Sequence, residues 1–261
     1  MSGGPAMSDA GLAAAVPAAR RLPSDPTGRW LKAAWADMRA APGVSFGYGA
    51  LIVAASWLVT YVVVVQEAWF LLLPMLGGFL FVAPLLAVGL YETSRRLGRG
   101  EPVSLVAALT AFRRNPTQIA LMGLALLLFL MAWARLALLM FALFFGLNPP
   151  PLADIFAAVF LTTDHLPFVI LSNLTGAVLA LLVFSISAVS IPLLLDRDVD
   201  VITAAIVSVK ACRANWRIMA GWAALIVLLT GFGLITFYIG LAVTMPLVGH
   251  ATWHAYKDLV E

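Results

Sequence analysis

FLFVAPLLAVGLYETSRRLGRGEP, residues 79–102, carries the pattern that decides the fold. An apolar run meets Pro84, continues for two turns, and gives way at Tyr91-Glu92 to a segment with five charged residues. A helix leaving a hydrocarbon core at a polar face reads this way. Ile191-Pro192 leading into LLLDRDVD has the same shape, as does Met245-Pro246 leading into LVGHATWHAYKD. Three such exits imply an all-α, polytopic membrane bundle with a threefold internal repeat.

Composition supports that class. Of the 261 residues, 62% are hydrophobic and 11% charged, whereas a soluble domain carries roughly 25% charged residues. The chain has too few charges to cover a surface in water. Its single cysteine, Cys212, excludes an intrachain disulfide and any CxxC metal or haem-attachment motif. The net charge of +3 is placed as membrane topology requires, so a nucleic-acid partner is not expected. Residues 1–28 lack a basic region followed by a long apolar core, so they are no signal peptide. They read as a disordered cytoplasmic tail before a membrane domain over 29–261.

Working outward, Trp30 to Ala41 has apolar residues at 30, 31, 34, 35 and 38, which predicts a short amphipathic helix on the membrane surface. Val103 to Asn115 and Val201 to Trp216 repeat that pattern. The apolar runs predict six spans, at about 44–65, 69–90, 117–146, 168–195, 218–230 and 234–249. Gly231-Phe232-Gly233 is read as the break between the last two. Glu92 to Pro102 is read as a polar loop, Leu152 to Phe160 as a re-entrant or interfacial helix, and His250 to Glu261 as a polar extension. Superposing the three units puts Pro84, Pro192 and Pro246 in register, and with them Glu92, Asp200 and His254.

Charge placement orients the bundle. Fifteen of the sixteen Lys and Arg residues fall on one side of the six-span layout, while the opposite loops hold Glu67, Asp154 and Asp164. By the positive-inside rule both termini are cytoplasmic, in a bacterial inner membrane.

The remaining basic residue, Arg135, lies inside a span. A charge at the bilayer centre costs at least ~2.5 kcal/mol and marks a functional candidate by default. Yet nineteen residues from Pro116, at ~1.5 Å each, carry Arg135 to the outer boundary. There it can snorkel or pair with Asp154 or Asp164, or serve an anion or proton pathway. His250 and His254, spaced i, i+4, share a helix face and are candidate metal ligands, with Glu92 and Asp200 as repeat-related partners. Arg95 and Arg96 are candidates for contact with anionic lipid head groups. No Walker loop, GxSxG, HExxH or intramembrane carboxylate pair is present, so no catalytic residue and no cofactor is expected.

WLKAAWADMRAAPGVSFGYG with GGFLFVAPLLAVGLYETSRRLGRGEPVSL resembles a family of predicted bacterial integral membrane proteins of unknown function, over about residues 29 to 256. The resemblance implies an inner-membrane protein without assigned activity. Members sometimes carry an automatic label of cytochrome c oxidase subunit I, but this chain's three histidines are too few for a haem–copper centre. Two readings follow: a non-catalytic scaffold or accessory subunit of a membrane complex, possible respiratory partners included, or a small-solute or ion transporter. The bilayer is the first expected partner, with a membrane-protein partner or a second copy as the other.

Overall fold

Prolines and short polar caps set where the helices begin, and the computed structural model, which describes residues 17–68, 71–146 and 165–260, largely follows them. Helix α1 (Thr27–Ala40) ends two residues before Pro42, which opens α2 (Pro42–Val65). A turn with Glu67 at positive φ leads to α3 (Leu72–Leu86). Pro84 lies inside α3, and its missing N–H loosens the last turn; the chain bends at Ala87 and resumes as α4 (Val88–Gly98). Ser104 caps α5 (Leu105–Leu109) by accepting from Ala107 N–H, and a 3-10 turn (Ala111–Arg114) follows. Pro116 opens α6 (Pro116–Phe145).

Beyond it come α7 (Leu166–Ser187) and α8 (Ser190–Asp196), the latter holding Pro192. Asp200 caps α9 (Val201–Ala214) through Thr203 N–H. The last two helices are α10 (Trp216–Ile235) and α11 (Leu241–Leu259). The protein is an all-helical, multi-pass integral membrane protein. Among the described residues five helical stretches are long and apolar enough to cross a membrane: Pro42–Val65, Pro74–Gly98, Pro116–Phe145, Leu166–Asp196 and Trp216–Ile235. Their outward faces carry exposed Leu58, Tyr61, Leu128, Leu143, Leu174 and Leu228. So much apolar surface would be untenable in water and suits lipid.

Several expectations are corrected. Glu92 to Gly98 is helical, not a loop, and Glu92 to Arg95 are buried, because neighbouring helices close over them and their charges pair within one turn. The glycines of 231–233 do not end the fifth span, which continues to Ile235. A Cβ at Gly233 would collide with the Leu241 side chain, so this glycine serves close packing between α10 and α11. The chain instead turns at 236–240, where Gly240 N–H donates to Thr236 Oγ1. The expected sixth span at 234–249 is displaced to α11, which is not among the five spanning stretches because its second half is polar. That half, expected as a solvated extension, is largely buried against α1, α2 and α4.

Part of the expected tail is also held. Arg20 N–H donates to Leu259 O at 2.8 Å, Ala19 pairs with Val260, and Asn215 bonds both Leu22 N–H and Arg20 O at 2.8 Å. Residues 1–16 and the expected re-entrant helix at 152–160 lie outside the described residues. Residues 17–26 and the end of α11 therefore meet at one pole, together with α1, α5 and α9, which we term the basic end.

Close approach of α2 to α11 depends on Gly49, where a Cβ would run into the backbone carbonyl of Ala242. Gly49→Val should lower stability by about 1–3 kcal/mol through overpacking. Thermal unfolding in detergent reads this directly, and an unchanged midpoint would contradict the α2–α11 contact.

Candidate polar site at the basic end

The second half of α4 projects Glu92 and Arg95 inward, where they are 1% and 3% exposed. Buried charges persist only when fully paired, and these are. Arg95 Nε and Nη2 donate to Glu92 Oε2 and Oε1 at 2.7 and 2.9 Å, a bidentate fork. Its Nη1 and Nη2 also reach Glu101 at 3.2 and 2.9 Å. Arg96 Nε donates to Glu92 Oε1 at 2.6 Å, and Arg114 stands 3.8 Å away while donating to Leu195 O. The Arg95 fork holds the Glu101 carboxyl below the usual carboxylate range.

A second carboxylate, Asp196 at the end of α8, ties three elements. It accepts from Arg99 at 3.1 Å, from Tyr256 OH at 2.9 Å and from Lys257 at 3.1 Å. Burial beside Asp196 pushes the Tyr256 phenol well above its ordinary value, so it stays a donor.

Between these ion pairs runs a chain of neutral and charged groups from four helices. Ser94 Oγ of α4 donates to Asp37 Oδ2 of α1 at 2.6 Å. Its oxygen must therefore accept the proton on His250 Nδ1, 2.7 Å away. That tautomer leaves Nε2 of His250 to accept from Ser45 Oγ of α2 at 3.0 Å. Asp37 Oδ2 also accepts from His254 Nε2 at 2.9 Å. His250 has no exposed surface, and burial is the main force that lowers its pKa to about 4, with Asp37 opposing and His254 adding to the fall. The imidazole is neutral at physiological pH. At 4.0 Å from Asp37 it is no ion-pair partner.

A serine hydroxyl on a neutral imidazole is the geometry of an activated nucleophile. Here, however, Ser45 is as fully buried as His250, and the Nδ1 side is held by a serine rather than a carboxylate. No substrate reaches Ser45 Oγ in this conformation. The arrangement pins α1, α2, α4 and α11 together.

The expected site residues are distributed differently. His250 and His254 do share a face, but they meet Ser45, Ser94 and Asp37 rather than Glu92 or Asp200. Glu92 sits in its arginine cluster and Asp200 caps α9, so the three repeat-related positions have three unrelated roles. Among the described residues no group of three or more His, Cys, Asp or Glu is placed to hold a metal. Arg95 has no face turned outward, so it cannot meet a lipid head group, and Arg96 is engaged by Glu92 and by Pro102 O. Arg135 is exposed on α6 and has no hydrogen-bond or ion-pair partner among the described residues; Asp154 and Asp164 lie outside them. Asp37, Ser45, Ser94 and Asp196 were not singled out from the sequence, since single polar residues beside apolar faces give no signal of what they meet.

The fold and its closed polar end define a multi-pass helical membrane protein. Residues 72–196, from α3 through α8, match the model of a family described as predicted integral membrane protein (DUF2189), a family of unknown function. The matched stretch includes the Glu92–Arg95 cluster and Asp196 but not Asp37, Ser45 or His250. No curated protein and no solved structure gives a significant match.

His250 gives a pH signature with a definite sign. Its folded pKa of about 4 lies below the ordinary value of 6.5, so the unfolded chain binds more protons between those limits. Stability is full above pH ~6.5 and is lost as pH falls toward ~4, by a few kcal/mol at most. Thermal melts across that range should show the decline, and His250→Asn should flatten its upper part.

Proposed function

We propose that the protein is a non-catalytic scaffold or accessory subunit of a bacterial inner-membrane complex, crossing six times with both termini in the cytoplasm. The observation that carries this reading is the closed state of its polar groups. Glu92, Arg95, His250, Ser45 and Ser94 are buried and each is engaged by another side chain. Transport sites, by contrast, gather unsatisfied polar groups near the bilayer midplane. In the described spans the charge-bearing residues sit at the ends apart from Arg135, which lies some 28 Å along α6 from Pro116 with Leu136 to Phe145 still to follow.

In this reading α10 and α11 form a hairpin, and α11, from Leu241 to Leu259, returns the chain to the basic end as the sixth crossing. The basic residues around α1, α5 and α9 support cytoplasmic termini. Those helices also leave Trp35, Val106 and Ile202 exposed, and the 3-10 turn after α5 leaves Phe112 exposed, as surface helices lying on lipid do. The threefold repeat read from the sequence pattern belongs to the same proposal. A small-solute or ion transporter is the competing reading, and Arg135 is what favours it.

Purification of the tagged protein from native membranes in mild detergent should recover a stoichiometric membrane-protein partner, identified by mass spectrometry. A partner-free homo-oligomer whose solute flux in proteoliposomes is lost in Arg135→Leu would replace this proposal with the transporter.

A further inference from the structure

Helices α2 and α3 are consecutive and antiparallel, yet they do not close on each other along their length. They meet at the basic end, where Tyr48 OH donates to Leu86 O at 2.8 Å, and are joined by the short turn at the far end. Between them lies a cavity of about 740 Å³, within the roughly 300–1,000 Å³ of small-ligand sites. Ala55 and Val59 of α2, Leu76 and Phe79 of α3, and Met131 and Ala134 of α6 line it. It is open at the side, between spanning helices, and so opens toward lipid.

The lining offers nothing to a polar ligand. Each of its four hydroxyls is taken: Tyr48 by Leu86 O, Ser56 by Ile52 O, and Thr60 and Tyr238 by each other at 2.8 Å. From Tyr48 to Thr60 the groove follows α2 for ~18 Å. That is comparable with the ~15 Å depth of one leaflet's hydrocarbon.

One charged residue stands at the end of the groove away from the basic end. Thr60 is eighteen residues beyond Pro42 and Ala134 eighteen beyond Pro116, so both lie ~27 Å from the basic end at 1.5 Å per residue. The next residue on α6 is Arg135, exposed, on the same face as Met131 at i, i+4, and unpartnered among the described residues. The rim at that level is firmly built. Phe237 and Tyr238 hold positive φ angles of 53° and 67°, strained for aromatic residues. Trp57 Nε1 donates to Phe237 O at 2.9 Å, and the Thr60–Tyr238 bond fixes the neighbouring residue.

We infer that the α2–α3–α6 groove is a binding site for an anionic phospholipid of the leaflet opposite the basic end. One acyl chain lies in the groove and the phosphate rests on Arg135. A guanidinium followed by ten apolar residues of the same helix is costly without an anion, and a phosphodiester supplies a forked acceptor that the side chain can reach by snorkelling outward. Charge complementarity at the far rim, over a groove that is otherwise apolar, selects this occupant over an uncharged apolar partner helix. The inference does not depend on whether the protein is a scaffold or a transporter.

The test uses the full chain, delipidated in detergent and titrated with phosphatidylglycerol or phosphatidylcholine, with bound lipid counted by native mass spectrometry. The wild type should retain one lipid and prefer phosphatidylglycerol by about tenfold, the effect of roughly one charge-assisted contact. Arg135→Leu should abolish that preference while leaving helix content unchanged, and Arg135→Lys should restore part of it. Ala55→Phe, at an exposed groove position that folding does not need, should lower retention of both lipids. An unaltered preference in Arg135→Leu overturns the inference, as does unaltered retention in Ala55→Phe. Release of a co-purifying membrane protein by Ala55→Phe, with lipid unaffected, would assign the groove to a partner's helix instead.

Discussion

A guanidinium taken out of water must be answered on every side, and Arg95 is answered by Glu92 and Glu101 together. Much at the basic end follows from that requirement. Glu92 must stay helical to present both oxygens three and four residues ahead to Arg95 and Arg96, so α4 continues past the apolar boundary as a helix. Once it does, its other face needs cover, and α1, α8 and α11 supply it. Removing one partner of such a pair leaves an uncompensated buried charge, which is far more costly than the pair is stabilising. The cluster is therefore better understood as specifying one arrangement of helices than as a source of stability.

Helix α11 shows the same logic with neutral groups. Its first turns are apolar, but His250, Thr252 and His254 would be unsatisfied in hydrocarbon. Thr252 donates back to Val248 O, whereas the two histidines reach across to Ser45, Ser94 and Asp37. Trp30 and Arg29 of α1 then bind Asp258 at 2.8 and 2.7 Å, and Lys257 and Tyr256 bind Asp196. The C-terminal helix thus acts as the bolt through the polar end, and the β-bridge between Ala19 and Val260 closes over it. Such a bolt explains why polar residues this late in the chain are so deeply buried.

In the hydrocarbon region the constraints are different. Trp133 packs edge-on to Phe81 and donates to Pro74 O at 2.7 Å, holding α6 to α3 where Gly77 and Gly78 leave room for its ring. With α3 committed to α6 and α7, and α2 committed to α11, the first hairpin is drawn apart in its middle. The lateral groove is the consequence of two helices each packing more closely on a distant partner than on its sequence neighbour.

How much of this was legible beforehand depended on the range of the interaction. Apolar length and the prolines at 42 and 116 determined the all-helical membrane class and the starts of α2 and α6, because hydrocarbon thickness and the absent proline N–H act locally. The amphipathic period likewise foretold α1 and α9, and the basic residues around them. The end of the fifth span was misread because Gly233 answers to Leu241 across a helix interface, not to its own backbone. The roles of Arg95, His250 and His254 were hidden for a related reason. Whether a charged or polar side chain faces lipid, water or a buried partner depends on which helix lies opposite. The two histidines' partners lie up to 217 positions distant in the chain, and tertiary packing alone brings them together.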